Sequence, residues 1–218
     1  MRARIQVLIA ATAVAAVAIP ASAQRGEAPP NTDTTTGLRL EVMEGSRATY
    51  RVREQLAGIN FPSDAAGSTS DVTGQIVVRP DGSIDAAQSK LTVDLRTLRG
   101  DQDQRDNYVR GNRLLDSEQF PFAEFVPRRA VNLPWPFPSQ NPAQAGFQLV
   151  GDLTIKGTTQ ETTWNVVSTF NPMQVSSREM TDFTFERFAL PKPTLARLLS
   201  VDDNIHLELE IRFRRVTP

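Results

Sequence analysis

A single histidine, no cysteine and no paired nucleophile bound the chemistry open to this chain of 218 residues. His206 falls on the outward parity of the last strand-like run, with Asp203 and Glu208 nearby, where a histidine is solvated rather than catalytic. A serine nucleophile would need His206 as its base, and no G-x-S-x-G elbow is present. Without cysteine there is no thiol nucleophile and no disulfide framework. Asp101-x-Asp103-x-x-Asp106 overlaps part of a calcium loop. However, Arg105 takes the third ligand position, the required glycine is missing and no glutamate closes the loop. Negative charge at a helix start accounts for these three acids. No phosphate-cradling glycine loop or dinucleotide fingerprint occurs. The chain is therefore expected to have no catalytic residue, no metal site and no cofactor, and to bind rather than to transform.

The elements that would frame a binding site are strands. Leu91, Val93 and Leu95 alternate with Thr92 and Asp94, and Phe120–Phe125 reads as a second strand. Between them Asp101–Asp116 is polar, with Tyr108, Val109, Leu114 and Leu115 on one helical side, so a helix is expected across one end of a sheet. Leu38–Val42, Arg47–Val52, Gln75–Arg79, Phe147–Ile155 and Thr163–Phe170 alternate in the same way. Phe183–Arg187 is expected to begin a further strand, and Ile205–Phe213 is the clearest of all. Gly58–Gly74, rich in Ser, Asp, Gly and Thr, reads as loop. Pro191–Leu199 reads as a short helical connector that buries Leu195, Leu198 and Leu199. Pro127–Ala145 holds five prolines and is expected to be a surface excursion, pinned by Trp135 and Phe137, because proline cannot donate to a ladder.

About eight strands with short turns imply an all-β, antiparallel sheet. Too little helix is available to cover its apolar face, so closure into a barrel is expected, with one or two short capping helices. Eight strands leave an interior that side chains fill or that holds one small ligand.

Met1–Ala23 has the form of a signal peptide: Arg2 and Arg4, an apolar run Ile5–Ile19 and the small-x-small site Ala21-Ser22-Ala23. Fifteen helical residues reach only about 22 Å, short of the ~30 Å hydrocarbon core, so the run is not read as membrane-spanning. Residues 24–37 read as a disordered lead-in and 38–218 as one domain. Removal of Arg2 and Arg4 changes 24 basic residues to 22 against 25 acidic ones. The basic residues are spread, with no stripe interleaved with aromatics, so no nucleic-acid partner is expected. Export without disulfides points to a periplasm. A strand edge or the Trp135 region offers a place for dimer contact, and the oligomeric state is left open.

Arg105-Asp106, Leu114-Leu115-Asp116-x-Glu118-x-Phe120-Pro121-x-x-x-Phe125 and Gly151-Asp152-Leu153-Thr154-Ile155-Lys156-Gly157 resemble the signature of the YceI-like family, as do Phe185-x-Arg187-Phe188 and Val201-Asp202-x-x-Ile205. Tyr108 stands where that family often has histidine. The resemblance covers about Arg47 to Arg214. It implies an eight-stranded, lipocalin-like barrel, capped by a helix, in a periplasmic protein that carries or sequesters an isoprenoid-type lipid, polyprenyl or quinone-like, in an apolar tunnel. Parity supplies the residues expected to touch that lipid: Tyr50, Val52, Ile76, Val78, Leu91, Val93, Leu95, Phe125, Leu149, Phe183, Phe185, Leu207 and Leu209. The alternative is a ligand-free barrel with a structural or interaction role. Arg105 and Asp106 are expected to lock the cap helix to the barrel, Gly151 to permit a close approach, and Gly157 to make a turn.

Overall fold

The longest regular feature is a hairpin of two thirteen-residue strands, β8 (Ala143–Ile155) and β9 (Thr158–Phe170), paired without a break from Ile155–Thr158 to Ala143–Phe170. Its two-residue turn has positive φ at both Lys156 (48°) and Gly157 (75°), the mirror-image turn whose twist suits a tight hairpin. The computed structural model describes residues 37–138, 142–194 and 198–216. The expected signal peptide and all but the last residue of the lead-in, and Leu195 of the expected connector helix, lie outside the described residues.

Around this hairpin eight antiparallel rows close into a barrel. Three rows are interrupted. β1 (Leu38–Val42) and β2 (Arg47–Leu56) run in line against the nineteen-residue β11 (Leu198–Val216). β3 (Ser63–Thr69) pairs with β2 while β4 (Val72–Val78) pairs with β1, and β6 (Arg99–Gly100) and β5 (Lys90–Asp94) pair with those two in turn. β7 (Phe122–Val131) joins β5 to β8, and β10 (Gln174–Thr184) joins β9 to β11. The sole α-helix of the described residues, α1 (Asp103–Arg110), follows β6, with Asp103 and Asp106 in its first turn and Arg110 in its last, matching the helix dipole.

Four expectations are corrected. Gly58–Gly74 is not a loop: β3 and the start of β4 lie in it. Its small residues suit a strand because Tyr50 lies against it, and a Cβ on Gly67 would come within 2.5 Å of the Tyr50 ring. Pro127 does sit within a strand. It stands in β7 beyond the last residue paired with β5, Phe125, and at a register shift against β8, so no ladder bond is lost. Phe183–Arg187 does not begin a strand: Phe183 is near the end of β10, and Glu186–Phe188 is a 3-10 turn. Leu198 and Leu199 belong to β11 and not to a connector helix.

The end of the barrel away from α1 is solid. Leu40, Ile76, Val78, Leu149, Phe170, Ile211 and Phe213 pack there as fully buried side chains. The proline-rich segment closes that end, as the expected pin. Phe137 is buried against Phe170 with ring centroids 4.7 Å apart, and Trp135 donates its indole N–H to the Pro80 carbonyl at 2.8 Å.

Candidate binding cavity

At the α1 end the same barrel is hollow. A cavity of about 860 Å³ runs between β2, β5, β7 and β11, under α1 and the segment that follows it. β2 shows how the chain builds the wall. Ala48, Tyr50, Val52, Glu54 and Leu56 share one parity and face the cavity, while Arg47, Arg51 and Arg53 are exposed. α1 and its following turns contribute Tyr108, Val109, Leu114 and Leu115, the apolar side read from the sequence. Leu114 and Leu115 come from turns rather than helix, because α1 stops at Arg110 and Gly111 caps it. The exposed lining residues Ile59, Gln102, Gln104 and Arg113 mark the mouth.

Ten of the thirteen residues singled out by parity line this cavity: Tyr50, Val52, Leu91, Val93, Leu95, Phe125, Phe183, Phe185, Leu207 and Leu209. Ile76, Val78 and Leu149 also point inward, but into the solid end, where the core leaves no space beside them. Sequence reasoning passed over Glu54, Leu56, Ala65, Leu98 and Leu190. For Glu54 and Leu56 the signal existed, since the period of two in β2 continues past Val52.

Two charged groups of the cavity wall, Glu54 and Arg105, are partnered with one another. Arg105 donates to the Glu54 carboxylate at 2.9 Å and also pairs with Asp101. Glu54 and Arg105 are both largely withdrawn from water, so the pair bonds α1 to β2 in a setting where loss of either partner strands a charge. Asp106, buried, accepts twice from the Gly100 amide, at 2.8 and 2.9 Å, tying α1 to β6. These two side chains therefore lock the helix as their sequence position suggested. Burial pushes the Tyr50 phenol up to about 12, helped by the negative charge of Asp106, so it stays a neutral donor. His206 is exposed on the outer face beside Asp182. Gly151 meets its expectation, since a Cβ there would lie 2.3 Å from the Val126 carbonyl oxygen.

Glu179 is less completely paired. It faces inward on β10, opposite Leu209 of the cavity wall, and is fully buried. One carboxylate oxygen accepts from the Ser177 hydroxyl at 3.1 Å and the other has no partner. Burial raises its carboxyl to about 7, against a smaller opposing effect of the Ser177 bond.

Comparison with known proteins follows the same lines. The YceI-like domain matches over residues 42–213. No curated protein is significantly similar to the chain. Among solved structures, BcnA of Burkholderia cenocepacia superposes with a TM-score of 0.58 at 19% identity, covering 78% of this chain and 98% of that one. A polyisoprenoid binding domain from Saccharophagus degradans, implicated in plant cell wall breakdown, gives 0.59 at 9% identity, over 84% and 99%. The Campylobacter jejuni YCEI protein gives 0.56 at 14%, over 73% and 90%. At these identities the likeness is one of fold.

Proposed function

The chain belongs to the YceI-like family, and from that premise we propose that it is a non-enzymatic carrier or scavenger of an isoprenoid-type amphiphilic lipid. The observation that carries this reading is a cavity of about 860 Å³ walled by aliphatic and aromatic side chains, at one end of a barrel whose other end is solid. Such a chamber suits the apolar tail of a lipid. Each five-carbon unit withdrawn from water gains about 3–4 kcal/mol at ~0.8 kcal/mol per CH₂. A few units then exceed the cost of association, about 4–15 kcal/mol. The polyisoprenoid-binding neighbour in Saccharophagus degradans supports the choice of isoprenoid over other tails. Carriage without catalysis fits a cavity where two of the charged lining residues, Glu54 and Arg105, neutralise one another while the one histidine of the chain faces solvent.

The tripartite pattern of Met1–Ala23 supports export to a periplasm with cleavage after Ala23, leaving Gln24–Pro218, in which residues 38–218 are the working domain. Among the described residues no helix is long and apolar enough to cross a membrane. Mass spectrometry on an organic extract of gently purified protein tests the reading. The expected result is a stoichiometric lipid with a C5 repeat. A clean extract from a lipid-replete host overturns it in favour of a ligand-free barrel, and intact mass reads the cleavage site from the same sample.

A further inference from the structure

Three large apolar side chains stand exposed at the mouth of the cavity: Phe61 at 78%, Leu199 at 67% and Ile59 at 48%. Strand register brings their segments together. Leu198 pairs with Leu56 and Ser200 with Gln55, so Leu199 falls in the irregularity between those pairs. The turn carrying Ile59 and Phe61 starts from the same place, since the Ile59 amide donates to the Leu56 carbonyl at 3.2 Å. Ile59 and Leu198 also line the cavity, so the outer lip and the inner wall form one apolar path.

We propose that this lip docks on the surface of a phospholipid bilayer and delivers the lipid cargo to or from it without passage through water. The proposal rests on the reading of the cavity as a lipid site. Its occupant follows from that continuity: an apolar tail entering past Ile59 and Leu198 comes from an apolar phase. Side chains as exposed as Phe61 project rather than line a groove, which suits insertion at the head-group boundary. Charge fixes the kind of membrane. Asp202 and Asp203 lie between Val201 and Ile205, beside the lip, and offset Arg113 at the mouth and Lys192 beside Leu199, so the lip offers no net attraction to anionic head groups. Docking is therefore by apolar insertion, effective on zwitterionic phosphatidylcholine and little changed by salt.

The test compares exported, processed protein with the F61S/L199S double variant, whose two positions lie outside the cavity wall. Co-sedimentation with phosphatidylcholine vesicles is expected to fall at least about tenfold, the effect of about 1.4 kcal/mol. In vesicle-free buffer both proteins are expected to bind geranylgeraniol equally and to melt alike. Equal vesicle partition for the two proteins overturns the docking proposal, as does binding abolished by salt. Lip-dependent self-association in sedimentation velocity, without vesicle binding, overturns it in favour of a second copy of the chain. If neither protein binds geranylgeraniol, the cavity reading fails and the docking proposal falls with it.

Discussion

Glu179 stands on β10 with Val166 and Leu209 as its strand neighbours, and one of its oxygens is left without a hydrogen bond. A carboxylate in that position is charged only against the cost of leaving water. Burial raises its pKa from 4.5 to about 7, so the folded chain holds this proton more firmly than the unfolded one. The sign follows from linkage. Where the native state binds more protons, stability falls as pH rises. The loss begins near the unfolded value, is complete above about 7, and is on the order of 3 kcal/mol. Glu179→Gln keeps the shape and an acceptor for Ser177 while removing the titration. It is expected to raise the melting temperature at pH 8 by roughly 5–10 °C and to change it little at pH 4. Parallel melting curves across that range for the two proteins would show that ionisation of Glu179 carries no such cost.

At the scale of elements, α1 is held by two clasps, Arg105 to Glu54 and Asp106 to the Gly100 amide. Removing either partner of the first leaves a poorly solvated charge, so Glu54→Ala and Arg105→Ala are each expected to cost about 2 kcal/mol. The double variant should cost less than the sum by at least about 1 kcal/mol, read by denaturant melts as a coupling energy. Additive losses would mean that Asp101 alone satisfies the guanidinium. The helix side of the clasps, Arg105 and Asp106, was legible in the family motif, and the period-two runs of β2, β8, β9 and β11 are local patterns, but Glu54, the partner of Arg105 51 residues away, was not. What escaped depended on neighbours far along the chain. Ser63–Thr69 has almost none of the branched or aromatic residues that mark a strand; it becomes one because β2 pairs with it and Tyr50 needs the space at Gly67. Pro127 reads as a breaker until β5 is known to stop short of it. In the cavity, parity gave the facing of a residue but not its depth. Ile76, Val78 and Leu149 face inward like Leu91 and Val93, yet Phe137, from a segment with no strand pattern, fills their end of the barrel.

At the largest scale, the described residues form one barrel with two interiors, and a pair of enlargements separates them. Val93 lines the hollow end and Leu149, only 3% exposed, belongs to the solid end. Both lie on the inner face, so the two positions differ in surroundings more than in parity. At Leu149 an aromatic ring has nowhere to go, and Leu149→Phe is expected to cost roughly 1–3 kcal/mol through displaced neighbours. At Val93 the added ring can extend into the cavity of about 860 Å³, with a stability change below about 1 kcal/mol. The consequences for a ligand run the other way. Val93→Phe takes space from the chamber, so extracted lipid and uptake of a long isoprenoid alcohol should fall, while a shorter one is less affected. Leu149→Phe, at a position that does not itself line the cavity although its cross-strand partner Trp164 does, should lower loading per folded molecule far less than Val93→Phe. Melting temperature and extracted lipid, measured on the same two preparations, therefore report the two interiors independently. Equal destabilisation by both substitutions, with no lipid in the parent protein, would mean that the α1 end closes in solution and that the barrel is solid throughout.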